Sequence, residues 1–296
     1  MDHLDQLEND SVYIIREAYK EFKDIAMLWS IGKDSTTLLY LVRKAFYGHV
    51  PFPILHLDTS YKFKEIYAFR DRMTKEWHLN LVIAQNKDAL ARKVGPDAGN
   101  KLTCCGELKT EALKQAIKEY GYRAILLGIR RDEHGIRAKE RYFSPRNNQF
   151  QWDYKNQPAE LWDLYNGRIN PGESVRCFPL SNWTETDIWQ YIRLEKIPIV
   201  SLYYAKLRPV VERDGSLIMV DDDRMRLHPG EKPQMRMVRF RTLGCYPLTG
   251  AIESSAATIE EIVAEMLQTT LSERSTRVID HDGDSSMEQK KREGYF

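Results

Sequence analysis

Short apolar runs alternate with helical patterns along the first two-thirds of the chain. A short run that ends in a turn signal is typical of a buried strand, whereas apolar residues three and four apart indicate an amphipathic helix. The predicted strands span 25–29, 52–57, 79–84 and 124–127, and the predicted helices lie near 34–47, 64–78 and 106–120. This alternation predicts βαβ units, and therefore an α/β fold with a parallel sheet that has helices on both faces.

The pattern changes towards the C-terminus. Segment 184–197 predicts one more helix, with Thr184 as its N-cap, and we expect this helix to close a core domain over residues 1–200. Short apolar pieces with turn signals follow, and then a helical pattern at 258–271. We therefore expect a second, less regular region, a C-terminal extension over residues 201–296.

Charge and composition exclude several classes of function. The 296 residues include 44 Lys and Arg and 43 Asp and Glu, so a net charge near +1 gives no general attraction to nucleic acid. No apolar stretch approaches the length of a membrane span, and the N-terminus is acidic and helix-like, which favours a soluble cytoplasmic protein without membrane contact. Four cysteines in a chain of this length do not form a disulfide framework, which fits a reducing compartment.

The turn after the first predicted strand has the residues of a phosphate-binding loop. Backbone N–H groups at the start of the following helix favour an anion, and Gly32 lets the backbone approach it closely. Ser30 and Ser35 add hydroxyl donors, and Lys33 adds a positive charge. The alternative is an ordinary βα turn capped by Asp34.

The loop S-I-G-K-D-S resembles the pyrophosphate-binding loop of the ATP pyrophosphatase superfamily, whose fold is of the adenine nucleotide alpha hydrolase type. It is not a Walker A loop, because Met27 stands where that motif has its first glycine. The resemblance implies ATP as a substrate, with Ser30, Gly32, Lys33, Asp34 and Ser35 holding the β and γ phosphates while a nucleophile takes the adenylyl group.

With Ile31 in place of the superfamily's commoner glycine, the chain resembles more closely the small subunits of bacterial sulfate adenylyltransferase. The segments that carry this resemblance are 51–71, 128–144, 178–192, 237–254 and 286–296. It implies a heterodimeric enzyme of sulfate assimilation that converts ATP and sulfate to adenylyl sulfate and pyrophosphate. It also implies a large partner subunit that hydrolyses GTP to drive the reaction. The polar tail, which ends in Tyr295 and Phe296, would then dock on the core or on that partner.

A basic segment follows the strand predicted at 124–127. It carries Arg130, Arg131, Arg137, Lys139 and Arg141 at the carboxyl edge of the sheet, where open α/β sheets bind their ligands. Two polyanions must meet in the implied reaction, so we predict that Arg130 and Arg131 grip sulfate or the α-phosphate and act with Lys33 in catalysis. The alternative is a solvated charged loop.

Asp58, at the end of the second predicted strand, has two interpretations of equal weight. It binds a Mg²⁺-linked phosphate or the ribose, or it caps a helix together with Thr59. We expect Mg²⁺ to arrive with ATP, and no resident metal site, because no histidine pair has ligand spacing. We assign His56 to the core. Sulfate is already ionised, so the reaction needs no general base.

Three cysteines leave a second class of enzyme open. Cys104, Cys105 and Cys245 stand where cluster-binding reductases of adenylyl sulfate have iron ligands, but Leu248 replaces the fourth ligand. The sequence therefore does not favour an iron–sulfur cluster, although we expect these three cysteines to lie close together. The alternatives to the transferase are such a reductase, or a sulfur-transfer enzyme, and a non-catalytic nucleotide-binding subunit.

Overall fold

The structure is a computed structural model that describes residues 2–96 and 101–268. Two regions of β-structure organise this part of the chain. The first is a six-stranded sheet with the strand order β3-β2-β1-β4-β6-β5. Its strands are β1 (Ile25–Leu28), β2 (Ile54–Leu57), β3 (Leu81–Ala84), β4 (Ala124–Leu126), β5 (Phe143–Arg146) and β6 (Ser174–Cys177). All neighbouring pairs are parallel except β5 and β6, which are antiparallel.

Helices cover both faces of this sheet, as the alternating pattern predicts. Side chains of β1 alternate between two buried clusters, with Ile25 and Met27 in one and Ala26 and Leu28 in the other. The first cluster packs against α1 (His3–Glu21), α2 (Lys33–Ala45), α3 (Lys64–Glu76) and α7 (Glu185–Glu195), and the second against α6 (Ala112–Tyr120). The predicted fold class is therefore confirmed.

The predicted helix at 106–120 begins earlier and is not uniform. Short helix α4 (Lys87–Ala91) precedes it, and the chain then runs through α5 (Lys101–Cys105), a π-helical stretch (Gly106–Glu111) and α6. Thr184 caps α7 as predicted, because its side chain accepts a hydrogen bond from the Asp187 backbone N–H. Strands β5 and β6 were not predicted from the sequence.

The short apolar pieces of the C-terminal extension form a barrel of four antiparallel strands. They are β7 (Lys206–Arg213), β8 (Ser216–Met219), β9 (Gln234–Arg239) and β10 (Gly250–Glu253). The turn between β7 and β8 uses Asp214 and Gly215, whose φ angles of 49° and 71° suit a tight hairpin. Helix α8 (Ile259–Gln268) then packs on α7. The predicted docking of Tyr295 and Phe296 concerns residues outside the described part.

Among the described residues, no helix has the length and apolarity that crossing a membrane would require.

Candidate active site

The predicted phosphate loop lies at the centre of the sheet. Strand β1 pairs with β2 on one side and with β4 on the other, so the chain's direction of winding reverses at the carboxyl end of β1. In open α/β sheets, this switch point forms the crevice that binds ligands. Gly32 is the N-cap of α2 and has no side chain that could cap the helix. The Lys33 N–H is bonded to the Tyr203 hydroxyl, which leaves the N–H groups of Asp34 and Ser35 to face the crevice.

Ile31 has a backbone conformation that isoleucine rarely adopts. Its φ angle is 67°, in the left-handed region that favours glycine, and its side chain is fully buried in the main core cluster. A β-branched residue in this region costs roughly 1–3 kcal/mol, which the surrounding structure must offset. The position is the one where the superfamily commonly has glycine, so packing of the isoleucine in the core holds the loop in the shape that glycine adopts without strain.

A pocket opens beside this loop. Ser30, Gly32 and Ser35 line it from the loop, and Gly128 and Ile129 line it from the turn after β4. The Ser30 and Ser35 hydroxyl oxygens are 3.0 Å apart. The remaining lining includes apolar side chains, two carboxylates, three basic side chains and part of the extension, namely Leu28, Leu57, Leu127, Asp34, Glu133, Lys62, Lys109, Arg137, Tyr203 and 242–244.

Lys33 does not point into this pocket. Its side chain is fully buried, with the ammonium nitrogen 3.2 Å from Asp34 Oδ2 and 6.0 Å from the centre of the Trp189 ring. Its backbone N–H donates to the Tyr203 hydroxyl oxygen at 2.8 Å. The charge of Lys33 therefore acts on the pocket through Asp34 rather than by lining it.

The two predicted oxyanion-binding arginines have structural partners. Arg130 is 1% exposed, and its guanidinium pairs with Asp34 and, at 2.9 Å, with Asp132. It thereby links the turn after β4 to the first turn of α2. Arg131 bonds the Asn182 side chain and stacks 4.7 Å from the centre of the Tyr142 ring. Neither arginine lines the pocket.

Asp58 also lies outside the pocket lining. Its carboxylate accepts hydrogen bonds from the Ser60 backbone N–H at 2.8 Å, the Tyr67 hydroxyl at 2.7 Å and the Gln85 side-chain amide at 3.1 Å. Burial and this hydrogen bond raise the pKa of the Tyr67 hydroxyl. The interpretation of Asp58 as a helix cap is wrong, because α3 begins after Phe63, and Asp58 instead bonds within the turn after β2. Its role as a ligand of a phosphate or of the ribose stays a prediction.

The basic side chains that line the pocket are Lys62, Lys109 and Arg137. Arg137 belongs to the basic segment, whose predicted oxyanion ligands are Arg130 and Arg131, and neither lysine is part of that prediction. A weak signal existed for Lys62, which follows closely after the end of β2. Lys109 begins the K-x-x-x-L segment that follows Cys104 and Cys105, but the sequence does not show that the helical run from α5 to α6 brings it to this pocket.

His56 is a core residue, as expected. It is fully buried on β2, and its Nδ1 lies 2.9 Å from the Trp29 carbonyl oxygen, to which it donates. Burial lowers the pKa of His56 to about 4, so the ring is neutral at pH 7.

Three of the four cysteines lie in one region near the pocket. Cys104 interacts electrostatically with Cys105 and with Cys245, which places the three in one region, as expected. Burial raises the pKa of the Cys104 thiol to about 12. Among the described residues, no group of three or more His, Cys, Asp or Glu side chains is arranged to hold a metal ion.

Cys245 should ionise at a lower pH than an ordinary thiol. Burial raises the pKa of Cys245, but Lys109 and Lys62 outweigh it and lower the pKa to about 7, so the thiolate forms as the pH rises through 7. Because the thiol is buried, its ionisation is followed by the ultraviolet absorbance of the thiolate, as the difference between the parent chain and Cys245→Ser, and we expect a midpoint near pH 7. Lys109→Met should move this midpoint to higher pH, whereas Lys118→Met, a change on the exposed face of α6, should not. An unchanged midpoint in Lys109→Met would contradict the assignment.

Tyr203→Phe should weaken the link between the extension and the loop. The change removes the hydroxyl that accepts from the Lys33 N–H in a buried setting, and such a loss costs about 1–3 kcal/mol. Urea unfolding should show this loss, and the Michaelis constant for ATP should rise. Tyr204→Phe, beside it on the half-buried surface, should change neither quantity. Equal stability of the two variants would contradict this role.

Comparisons with known proteins cover most of the chain. Residues 24–251 match the family model described as the phosphoadenosine phosphosulfate reductase domain. Sulfate adenylyltransferase subunit 2 from Akkermansia muciniphila is 61% identical and covers 100% of this chain and 98% of its own. Its counterpart from Nocardia farcinica is 60% identical and covers 99% of this chain and 96% of its own.

Among solved structures, Candida glabrata FMN adenylyltransferase in complex with ATP aligns with 93% of this chain and 87% of its own. The TM-score is 0.50 and the sequence identity is 16%, so this likeness concerns the fold alone.

Proposed function

Because this chain belongs to the family of sulfate adenylyltransferase subunit 2, we propose that its pocket joins sulfate to the α-phosphate of ATP and releases pyrophosphate. The chain is thus a nucleotidyltransferase, the catalytic subunit for the first step of sulfate assimilation. The observation that carries the proposal is the convergence of the α2 N-terminus with three basic side chains in one pocket at the switch point of the sheet.

Each group of residues at the pocket has a role that follows from its position. The N–H groups of the α2 first turn and the hydroxyls of Ser30 and Ser35 suit the β and γ phosphates, which become the leaving pyrophosphate. Lys62, Lys109 and Arg137 supply positive charge for the approach of two anions. Lys33 and Arg130 hold Asp34 and so fix the loop. Sulfate attacks as an anion, so positioning and charge neutralisation carry the step.

Magnesium fits this site as an ion carried by ATP. Mg²⁺ keeps several waters and uses one or two carboxylates besides the phosphates. Asp34 and Glu133 are the carboxylates that line the pocket, and both are paired with arginine, Glu133 with Arg137. The protein would therefore contribute little to the ion's coordination.

The extension is proposed to complete the site and the partner to drive the reaction. Tyr203 and residues 242–244 line the pocket beside the core elements, which supports a joint site between the regions 1–200 and 201–296. The adenylyl sulfate anhydride is high in energy, and the sequence has no Walker A motif, so we assign GTP hydrolysis to a larger partner in a heterodimer. Four buried free cysteines suit the reducing cytoplasm.

The alternative of an adenylyl sulfate reductase has less support. Leu248 stands where cluster-binding reductases have their fourth iron ligand, so the ligand set of such an enzyme is incomplete. The curated relatives at about 60% identity are named for the transferase.

Pyrophosphate release tests the proposal. The chain is assayed with ATP and Mg²⁺, with and without sulfate, the large subunit and GTP. We expect release that depends on sulfate and rises strongly with the partner and GTP, together with adenylyl sulfate in equal amount. Release without sulfate, or production of sulfite from adenylyl sulfate and a thiol, would contradict the proposal.

A further inference from the structure

A buried polar cluster lies at the β5–β6 edge of the sheet, and none of its members lines the pocket. Ser144 pairs with Arg176 across the two strands, and Arg146 pairs with Ser174. Directly opposed residues of antiparallel strands point to the same face, and so do residues two apart, so these four side chains share one face. Glu140 joins them, and all five residues are at most 3% exposed.

The cluster has more positive than negative charge. Glu140 accepts from Arg146 at 3.1 Å and from the Ser144 hydroxyl at 2.5 Å, and Arg146 also donates to Ser144 Oγ at 2.8 Å. These bonds satisfy Arg146 and occupy the carboxylate. Two guanidinium groups and one carboxylate leave a net charge of +1 in this cluster, away from water. Burial, and then repulsion from Arg146, lowers the pKa of Arg176 to about 9.

Arg176 and Ser174 carry buried polar atoms that no other described residue satisfies. Both terminal nitrogens of Arg176 and the hydroxyl oxygen of Ser174 are buried and have no hydrogen-bond partner among the described residues. A buried charged donor that lacks an acceptor is strongly unfavourable, and arginine does not lose its proton in a protein. An acceptor that is not part of the described chain is therefore required next to these atoms.

We propose that this cluster, formed by Glu140, Ser144, Arg146, Ser174 and Arg176, binds one small monovalent anion of the chloride type. A single negative charge cancels the net +1, whereas a dianion such as sulfate would leave −1 and a water molecule would leave +1. The near-complete burial of the five residues favours a small ion without its hydration shell. The two Arg176 nitrogens and the Ser174 hydroxyl are its donors.

The anion would help to position the basic segment. Glu140 lies just after Arg137, which lines the pocket, and the Glu140 carbonyl oxygen accepts from Arg131 at 3.3 Å. If the ion neutralises Arg176, the Glu140 carboxylate remains paired with Arg146. This pairing holds the C-terminal end of the basic segment against strand β5.

Bromide replaces chloride and has a measurable anomalous signal. Crystals of the full chain grown in sodium bromide should show an anomalous peak within hydrogen-bond distance of the Arg176 terminal nitrogens. A peak of water density at that position without bromide signal would overturn the proposal.

Thermal unfolding gives a second readout in solution. At constant ionic strength, replacing sodium gluconate by sodium chloride should raise the midpoint in a saturable way, by roughly 5 °C at saturation. Arg176→Met should abolish this dependence. Ser174→Ala, which keeps all charges, should fold and shift the dependence to higher chloride concentration, so the test stands even if Arg176→Met does not fold.

The matched control is Arg239→Met. Arg239 is also fully buried, but its guanidinium is paired with Glu265 at 2.6 Å. This variant should lose stability and keep the full response to chloride. Equal midpoints of the parent chain in both salts, or an equal loss of the response in Arg239→Met, would overturn the proposal.

Discussion

Lys62→Met and Lys109→Met should each lower the rate of sulfate-dependent pyrophosphate release by about 100-fold or more. Each change removes one fixed positive charge that would stabilise the negative charge of the transition state. Both lysines line the pocket that also contains the α2 N-terminus. Methionine keeps the apolar length of the side chain, so the change isolates the charge. The effect should fall mainly on kcat, since the charge on the oxygens bridging to the leaving group grows during the reaction.

Lys118→Met is the matched control, because Lys118 lies on the exposed face of α6 and outside the pocket. It should retain near-parental turnover. Stopped assays with purified complex, sulfate and GTP measure all three variants, and circular dichroism checks that they fold. Normal turnover by folded Lys62→Met and Lys109→Met proteins would show that the pocket's positive charge has no part in the reaction.

The phosphate loop could be predicted from the sequence because its parts are local. A strand, a glycine and a helix start within eight residues of each other, and their geometry follows from the backbone alone. Ser30, Gly32, Asp34 and Ser35 accordingly line the pocket. The side chain of Lys33 could not be placed in this way, because its direction depends on Trp189 in α7, which the fold brings to the loop.

The contribution of each residue in the basic segment depends on tertiary structure. Arg130, Arg131 and Arg137 look equivalent in the sequence, but short 3₁₀ turns direct only Arg137 into the pocket. Arg130 instead meets Asp34, which is 96 positions away in the chain. The prediction that Arg130 and Arg131 bind oxyanions therefore stays open to test by alanine substitution. The contacts of Arg130 indicate that its loss would disturb the loop itself.

Strands β5 and β6 could not be predicted from the sequence, because their burial also depends on tertiary structure. Each has four residues, and each contains an arginine that the fold buries, Arg146 in β5 and Arg176 in β6. Arg146 ends β5 and Arg176 is the third residue of β6, and so short a stretch with a charged residue is typical of a loop, because buried arginine is rare unless it is paired. The buried Arg176, which makes β6 look like a loop in the sequence, is also the residue for which we propose a bound anion.

Gly128→Ala should lower activity at least about tenfold while costing about 1–3 kcal/mol of stability, because it would force the two sides of the pocket apart. A Cβ atom at Gly128 would lie 3.0 Å from three backbone atoms of the α2 first turn, namely the carbonyl carbon of Asp34 and the Cα and nitrogen of Ser35. Backbone atoms in a helix cannot rotate away as a side chain can. The helix start must therefore move, and the N–H groups that face the phosphates move with it.

Gly106→Ala is the control, since a Cβ atom there meets no atom of the described residues within 4 Å. This variant should keep full activity and at least the parental stability, because alanine favours a helical backbone more than glycine does. Titration of ATP binding, followed by the sulfate-dependent assay, separates the two effects expected for Gly128→Ala: weaker ATP binding from the displaced loop, and slower turnover of the ATP that does bind. If Gly128→Ala binds and turns over ATP like Gly106→Ala, the contact between this turn and the α2 N-terminus does not set the geometry of the phosphate site.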